Sequence, residues 1–170
     1  MPENLRFLKF INPSSGEVFF SQVISQVIDF MIAEPRMHYR VMIGSDSNGT
    51  SSLDVVSVVA IHRVGHGGRY FWTRNSVVGI KTLRQKIYAE VQASLDLATL
   101  FLPAFRAALE AQGSASEVPF DFQIHIDVGD QGETRSLVHE VTGMVRGYGY
   151  EVYVKPESAA ATSVADRHVR

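Results

Sequence analysis

Two aspartates stand where strand-like apolar segments of the sequence give way to glycines. Asp46 lies in MIGSDSNG and Asp127 lies in IHIDVGDQG. Strand alternation puts Asp46 on the face of Met42 and Gly44, at the point where the apolar run is expected to end. Taken separately, each aspartate is typical of an Asx turn. If the two strands are neighbours, however, the two carboxylates lie side by side at one sheet edge, as ligands for Mg²⁺ or Mn²⁺ would.

Two further acidic residues lie in segments with helical periodicity. Glu90 borders the apolar stripe of residues 80–111, and its neighbours Ala89 and Ala93 are small enough to let its carboxylate approach a sheet. Asp166 lies in a final segment of small and apolar residues. On its own, each of these acids is typical of a solvated helix surface. Their assignment to a site therefore depends on the family resemblance given below.

The elements that must position these acids follow from hydrophobic periodicity and from turn residues. A helix is predicted first, then three strands in an antiparallel meander, and then strands and helices in alternation. The alternation predicts right-handed crossovers and later strands that run parallel to the first, so that the first and fourth strands are neighbours. Pro103 predicts a kink or break in the long helix. The predicted segments are 18–33 (helix), 39–45, 53–64 and 69–78 (strands), 80–111 (helix), 119–129 (strand), 132–149 (helix), 150–156 (strand) and 158–170 (helix).

The composition predicts a globular protein with a sizeable core. The chain has 170 residues, of which 45% are hydrophobic and 20% charged, and we expect a single domain over residues 1–170. The absence of cysteine excludes disulfides and thiolate zinc sites, and the apolar runs are too short for a membrane span, so we expect a cytoplasmic protein without membrane contact. A net charge of −2 indicates that any contact with nucleic acid is local.

The second and third strands carry the most basic and aromatic surface of the sequence. Arg63, Arg69 and Arg74 alternate with Tyr70 and Trp72, which is a pattern that can hold a nucleic-acid strand through phosphate pairing and base stacking. The alternative is an edge hairpin with solvated arginines and buried aromatic rings. Both interpretations stay open at the level of sequence.

Other polar residues near the acids have two interpretations each. Lys155 follows the last strand, where it can meet a phosphate or pair with an acid, and we expect Ser47, Arg74 and Lys155 to contact substrate. His125 shares a strand face with Asp127, and we interpret it as a hydrogen-bonded sheet histidine rather than a metal ligand. The acids at positions 130 and 133 are interpreted as helix-start residues that favour the helix dipole.

The order of elements and four sequence stretches resemble the RNase H-like superfamily and, within it, the YkuK-type family. These stretches are IGSDS, HIDVGDQG, VTGMVRGYGY and VKPESAAATSVAD. The resemblance implies a mixed α/β fold, with a five-stranded sheet flanked by helices, a second strand antiparallel to its neighbours and an additional N-terminal helix. It also implies a catalytic metal site for Mg²⁺ or Mn²⁺ formed by Asp46, Glu90, Asp127 and Asp166.

The implied activity is metal-dependent hydrolysis of phosphodiesters, as in a nuclease. The KPE loop before the last helix has no histidine to protonate a leaving group, which disfavours cleavage specific for RNA–DNA hybrids. Two alternatives remain. The turns DSNGT and DVGDQGET resemble the phosphate-binding hairpins of actin-like ATPases, of which this chain would be one half. The other alternative is a non-catalytic module that retains the fold as a scaffold for binding.

Overall fold

A computed structural model of the protein describes residues 7–49, 52–113, 117–129 and 131–169. Strands and helices alternate in it from Leu83 onward. The elements are β1 (Lys9–Asn12), β2 (Gly16–Phe19), α1 (Phe20–Ile32), β3 (Tyr39–Asn48), β4 (Ser52–Arg63), β5 (Gly68–Val78), α2 (Leu83–Glu110), β6 (Phe120–His125), a 3₁₀ helix (Gly132–Leu137), α3 (Val138–Gly147), β7 (Glu151–Tyr153) and α4 (Ala159–Val169).

The strands form one mixed sheet in the order β2-β1-β5-β4-β3-β6-β7. β4 runs antiparallel to both of its neighbours, β3 and β5. β6 pairs in parallel with β3, with Ile43 opposite Ile124, and β7 pairs in parallel with β6. The predicted mixed α/β class and the predicted pairing of the first and fourth core strands are therefore confirmed.

The sheet has more strands than predicted, and the additional strands come from the N-terminal part of the chain. The sequence interpretation placed a turn and a helix start at 12–17 and a helix over 18–33, but these residues form the β1–β2 hairpin before α1 begins at Phe20. The Asn12 side chain accepts hydrogen bonds from the backbone N–H groups of Ser14 and Ser15, and Gly16 has a φ of 72°. These are turn features, and they add two strands to the five of the predicted core.

Helix α2 continues through Pro103, so the break that was one of the two predicted effects of this proline does not occur. A proline inside a helix costs about 3 kcal/mol because it removes a backbone hydrogen bond. Phe101 and Phe105, on either side of it, are fully buried and stack with ring centroids 5.5 Å apart. Tertiary packing of these rings offsets the cost. The helix begins in a capping box in which the Thr82 side chain accepts from Gln85 N–H.

The two faces of β3 pack against different layers of the fold. Val41 and Ile43 belong to the main core, together with buried residues of α1 and α2. Met42 belongs to a smaller cluster on the opposite face, where Ala161 and Ala165 of α4 pack. By alternation Ser45 and Ser47 face α2, and Asp46 faces the α4 side. Within the described residues no helix is both long and apolar enough to cross a membrane.

Candidate acidic site

Asp46 lies inside β3, because the strand continues to Asn48 through pairing of Asn48 with Asp54 of β4. The expectation that the strand stops before Asp46 is therefore wrong. Burial raises the pKa of the Asp46 carboxyl, and the nearby charges of Asp127 and Asp166 raise it further. A hydrogen bond from the backbone N–H of Ser47 to Oδ1, 2.9 Å long, acts in the opposite direction. Desolvation by burial raises the pKa of Asp46 more than repulsion from the other acids does.

Glu90 reaches the sheet from α2, as its position beside the apolar stripe predicted. Only 7% of the residue is exposed, and the Ser47 hydroxyl donates a 2.6 Å hydrogen bond to its Oε1. Burial raises the pKa of Glu90 from 4.5 to about 7, with a smaller contribution from the charge of Asp46. Lys86, one turn earlier on the helix, places Nζ 3.9 Å from the carboxylate and favours its charged form.

A line of buried serines connects α2 to the centre of the sheet beside Glu90. The Ser94 hydroxyl donates to the Ser45 hydroxyl at 2.9 Å, and the Ser45 and Ser57 hydroxyls are 2.8 Å apart. Ser94 also contacts the Glu90 carbonyl oxygen at 3.1 Å. These contacts satisfy buried hydroxyl groups and fix the helix against β3. Sequence reasoning missed them, although Ser45 and Ser47 alternate toward one face.

Asp127 lies two residues beyond the end of β6 and is held by Lys155. The Lys155 Nζ lies 2.7 Å from Asp127 Oδ1, so Lys155 pairs with an acid, which was one of its two predicted roles. Gly129 allows this approach, since a Cβ there would lie 3.2 Å from the Lys155 Cβ. A cavity of about 470 Å³ opens beside the pair and is lined by Gly129, Gln131, Thr134, Lys155 and Pro156.

Asp166 lies on α4, and its charge raises the pKa of Asp46. Asp46 therefore interacts electrostatically with the other three predicted acids, and the four carboxylates belong to one charged region built from β3, α2, the segment after β6, and α4. Among the described residues, however, no three acidic or histidine side chains approach closely enough to hold one ion together. Asp130 and the Glu133 side chain lie outside the described residues.

His125 is a buried, hydrogen-bonded sheet histidine, as the sequence interpretation favoured. Its Nδ1 lies 3.1 Å from the Ser158 carbonyl oxygen and its Nε2 lies 3.1 Å from Gln123 Oε1. Burial lowers the pKa of His125 and so favours the neutral form of the ring. The ring thereby holds the backbone immediately before α4.

The basic and aromatic residues of β4 and β5 are divided between the two faces of the sheet. Arg63 and Arg69 stack over the ring of Phe30 in α1, at 4.3 and 5.1 Å from its centroid. Arg74, on the other face, donates to the backbone carbonyl of His168. Contact of Ser47 and Arg74 with a substrate stays a prediction, because the partners described for both side chains belong to the chain itself.

The donor chemistry of the site fits a hard divalent cation. All four side chains offer oxygen ligands, which Mg²⁺ and Mn²⁺ prefer. The two with raised pKa values, Asp46 and Glu90, are held in surroundings that disfavour a bare negative charge, and a bound cation relieves that cost. In the structure described, Lys86 supplies positive charge beside Glu90, and Lys155 supplies it beside Asp127.

Comparisons with known proteins agree with this fold. The chain belongs to the Ribonuclease H-like family, whose model matches residues 22–170. The chain is also 29% identical over 169 residues to the uncharacterised protein YkuK of Bacillus subtilis strain 168. That alignment covers 95% of this chain and 96% of the relative, which confirms the resemblance to the YkuK-type family. No solved structure matches the chain at a significant level.

Proposed function

We propose that the protein is a divalent-metal-dependent hydrolase of phosphodiester bonds in nucleic acid. The observation that carries the proposal is that Asp46 lies within electrostatic range of the carboxylates of Glu90, Asp127 and Asp166, which come from three other parts of a Ribonuclease H-like fold. Burial raises the pKa values of two of the four, Asp46 and Glu90. Ordinary surface carboxylates rarely lie in such surroundings.

The acids have different parts in this proposal. Asp46 and Asp127 are the principal ligands for Mg²⁺ or Mn²⁺, Glu90 is a second or bridging ligand, and Asp166 completes the site. A bound divalent ion supplies an activated water and stabilises the charge of the leaving oxygen. The Ser47 hydroxyl orients Glu90 by its 2.6 Å hydrogen bond. Because Lys155 pairs with Asp127, it is also the cation best placed to meet a phosphate of the substrate when that pair opens.

The cavity beside Lys155 supports a substrate that extends past the acids. Its volume of about 470 Å³ accommodates a sugar and a phosphate, and Gln131, Thr134 and Lys155 can donate hydrogen bonds to phosphate oxygens. Pro156 offers an apolar surface in the same wall. Because the net charge is −2, we expect such local contacts, rather than a broad basic surface, to hold nucleic acid.

A second candidate function is a non-catalytic module that binds a partner through the same fold. The ion pair between Lys155 and Asp127 favours it, because a lysine in place of a cation can neutralise an acidic site that no longer binds metal. A nucleotide-binding, actin-like half-domain is a weaker candidate, since those ATPases close two such halves around the nucleotide. A nuclease predicts cleavage of nucleic acid that depends on Asp127 and on a divalent ion, whereas neither alternative predicts such cleavage.

The decisive experiment is a cleavage assay with Mg²⁺ and Mn²⁺ on DNA, RNA, hybrid and branched substrates. Wild type is compared with Asp46→Asn, Asp127→Asn and the matched control Asp96→Asn, an exposed carboxylate on α2. We expect the two site variants to lose at least about a hundredfold in rate, since they remove stabilisation worth several kcal/mol, and the control to retain its rate. Equal cleavage by wild type and both site variants would contradict the proposal.

A further inference from the structure

Three alternate side chains of β5 converge on one residue of α4. The ring of Trp72 stacks on the ring of His168, with centroids 4.6 Å apart and an interplanar angle of 15°. The Tyr70 hydroxyl lies 3.3 Å from His168 Nε2, and Arg74 Nη2 donates to the His168 backbone carbonyl at 2.5 Å. Residues two apart on a strand face the same side, so these three side chains form one row under the end of the helix.

Arg74 is itself held in place by the neighbouring strand. Its guanidinium lies 3.5 Å from the Asp54 carboxylate, which also accepts a 2.9 Å hydrogen bond from the Ser76 hydroxyl. The carbonyl groups in the last turn of a helix have no partners within the helix, and a cation there also interacts favourably with the helix dipole. Arg74 therefore caps the C-terminal end of α4 from the sheet.

The rest of the α4 interface is formed largely by small side chains. Ala161 and Ala165 pack on Val56 and Val58 of β4, and alanine side chains bury little apolar area. A helix of 11 residues is also marginal by itself in water. Specific contacts hold α4 at both ends: the hydrogen bond between His125 and the Ser158 carbonyl, and the contacts of Tyr70, Trp72 and Arg74 with His168.

We propose that Tyr70, Trp72 and Arg74 form a latch that docks the end of α4 and thereby positions Asp166 toward Asp46. Asp166 lies between Ala165, which packs on the sheet, and His168, which the latch holds. The latch residues are positioning residues, because they act on the acidic site through α4. The consequence for metal binding rests on the function proposed above.

Docking and metal binding are then coupled equilibria. If a divalent ion uses Asp166, it binds better when α4 is docked, and by linkage the ion strengthens docking by the same factor. Typical coupling of this kind amounts to about fivefold or more in affinity. Trp72 is the single tryptophan of the chain, so its fluorescence reports the stacked contact with His168 without added label.

The test compares full-length wild type with Arg74→Ala, Trp72→Phe and the matched control Arg69→Ala, which is on the same strand but faces α1. Hydrogen exchange measures docking of residues 159–169 without metal, and calorimetry measures Mg²⁺ affinity. We expect both latch variants to speed exchange in α4, and Arg74→Ala to weaken Mg²⁺ binding by about five- to tenfold. The control should do neither. In wild type, Mg²⁺ should alter Trp72 emission, and Asp166→Asn should abolish that change.

The outcomes separate this inference from the proposed function. If hydrogen exchange in α4 is unchanged in both latch variants, the latch is overturned, whatever the Mg²⁺ affinity of these variants. Faster exchange with unchanged Mg²⁺ affinity overturns the positioning of Asp166. Absence of Mg²⁺ binding in wild type contradicts the proposed function and with it the coupling, whereas the exchange data still decide whether the latch exists.

Discussion

Replacement of Glu90 by glutamine is expected to stabilise the metal-free protein above pH 7. The pKa of Glu90 rises from 4.5 in the unfolded chain to about 7 in the fold, so the folded state binds the proton more tightly. The stabilising effect of the protonated form is complete below pH 4.5 and is lost as pH rises through 7. At about 1.4 kcal/mol per pKa unit, the deprotonated carboxylate costs about 3 kcal/mol at pH 8. Glutamine keeps the oxygen that accepts from Ser47 but carries no charge.

Chemical denaturation in EDTA across pH 4.5 to 8.5 measures this effect. We expect the free energy of unfolding of Glu90→Gln to rise relative to that of wild type over this range, because both proteins share the opposing contributions of Asp46, whose pKa is raised, and of His125, whose pKa is lowered. At pH 8 the difference of about 3 kcal/mol corresponds to roughly 6–12 °C in melting temperature. Asp96→Asn serves as the control on α2. Equal slopes for wild type and Glu90→Gln would refute the assignment of the raised pKa to Glu90.

Two further variants probe the neighbours of the acids. Ser47→Ala removes the hydroxyl that favours the charged form of Glu90, so the pKa of Glu90 should rise further, as carboxyl carbon NMR during a pH titration would reveal. An unmoved titration would mean that the 2.6 Å hydrogen bond does not act on the carboxylate. Lys155→Met frees Asp127, so Mn²⁺ should bind about two- to fivefold more tightly by calorimetry, a gain set by the small value of a partly exposed ion pair. Lys9→Met, which removes a similar pair on β1, should leave the affinity unchanged, and weaker binding in Lys155→Met would contradict the competition.

The positions of the acids could be predicted from the sequence where the topology of the sheet determines them. Alternation of strands and helices predicts a parallel crossover, and a parallel crossover puts the ends of β3 and β6 side by side, so Asp46 and Asp127 could be assigned to one region. The position of Glu90 followed from its angle on the helix and from its small neighbours. Both inferences use periodicity, which a single sequence carries.

Contacts between residues that are far apart in the chain produce no periodic pattern in the sequence. The β1–β2 hairpin was missed because NPSSGE is equally compatible with a helix start, and because strands of four residues are too short for alternation to be distinctive. The partners Arg74 and His168 are 94 positions apart, and nothing in their spacing connects them. The pairing of Lys155 with Asp127 remained one of two interpretations, since it depends on the path of the chain after β7.

The parallel pairing of β3 with β6 places Ile43 opposite Ile124, across about 80 intervening residues. A polypeptide still emerging from the ribosome, with only β3 and α2 made, holds Asp46 and Glu90 without the other two carboxylates. Translation must proceed through α4 before the acids can meet. On the function proposed above, hydrolysis therefore requires the finished domain.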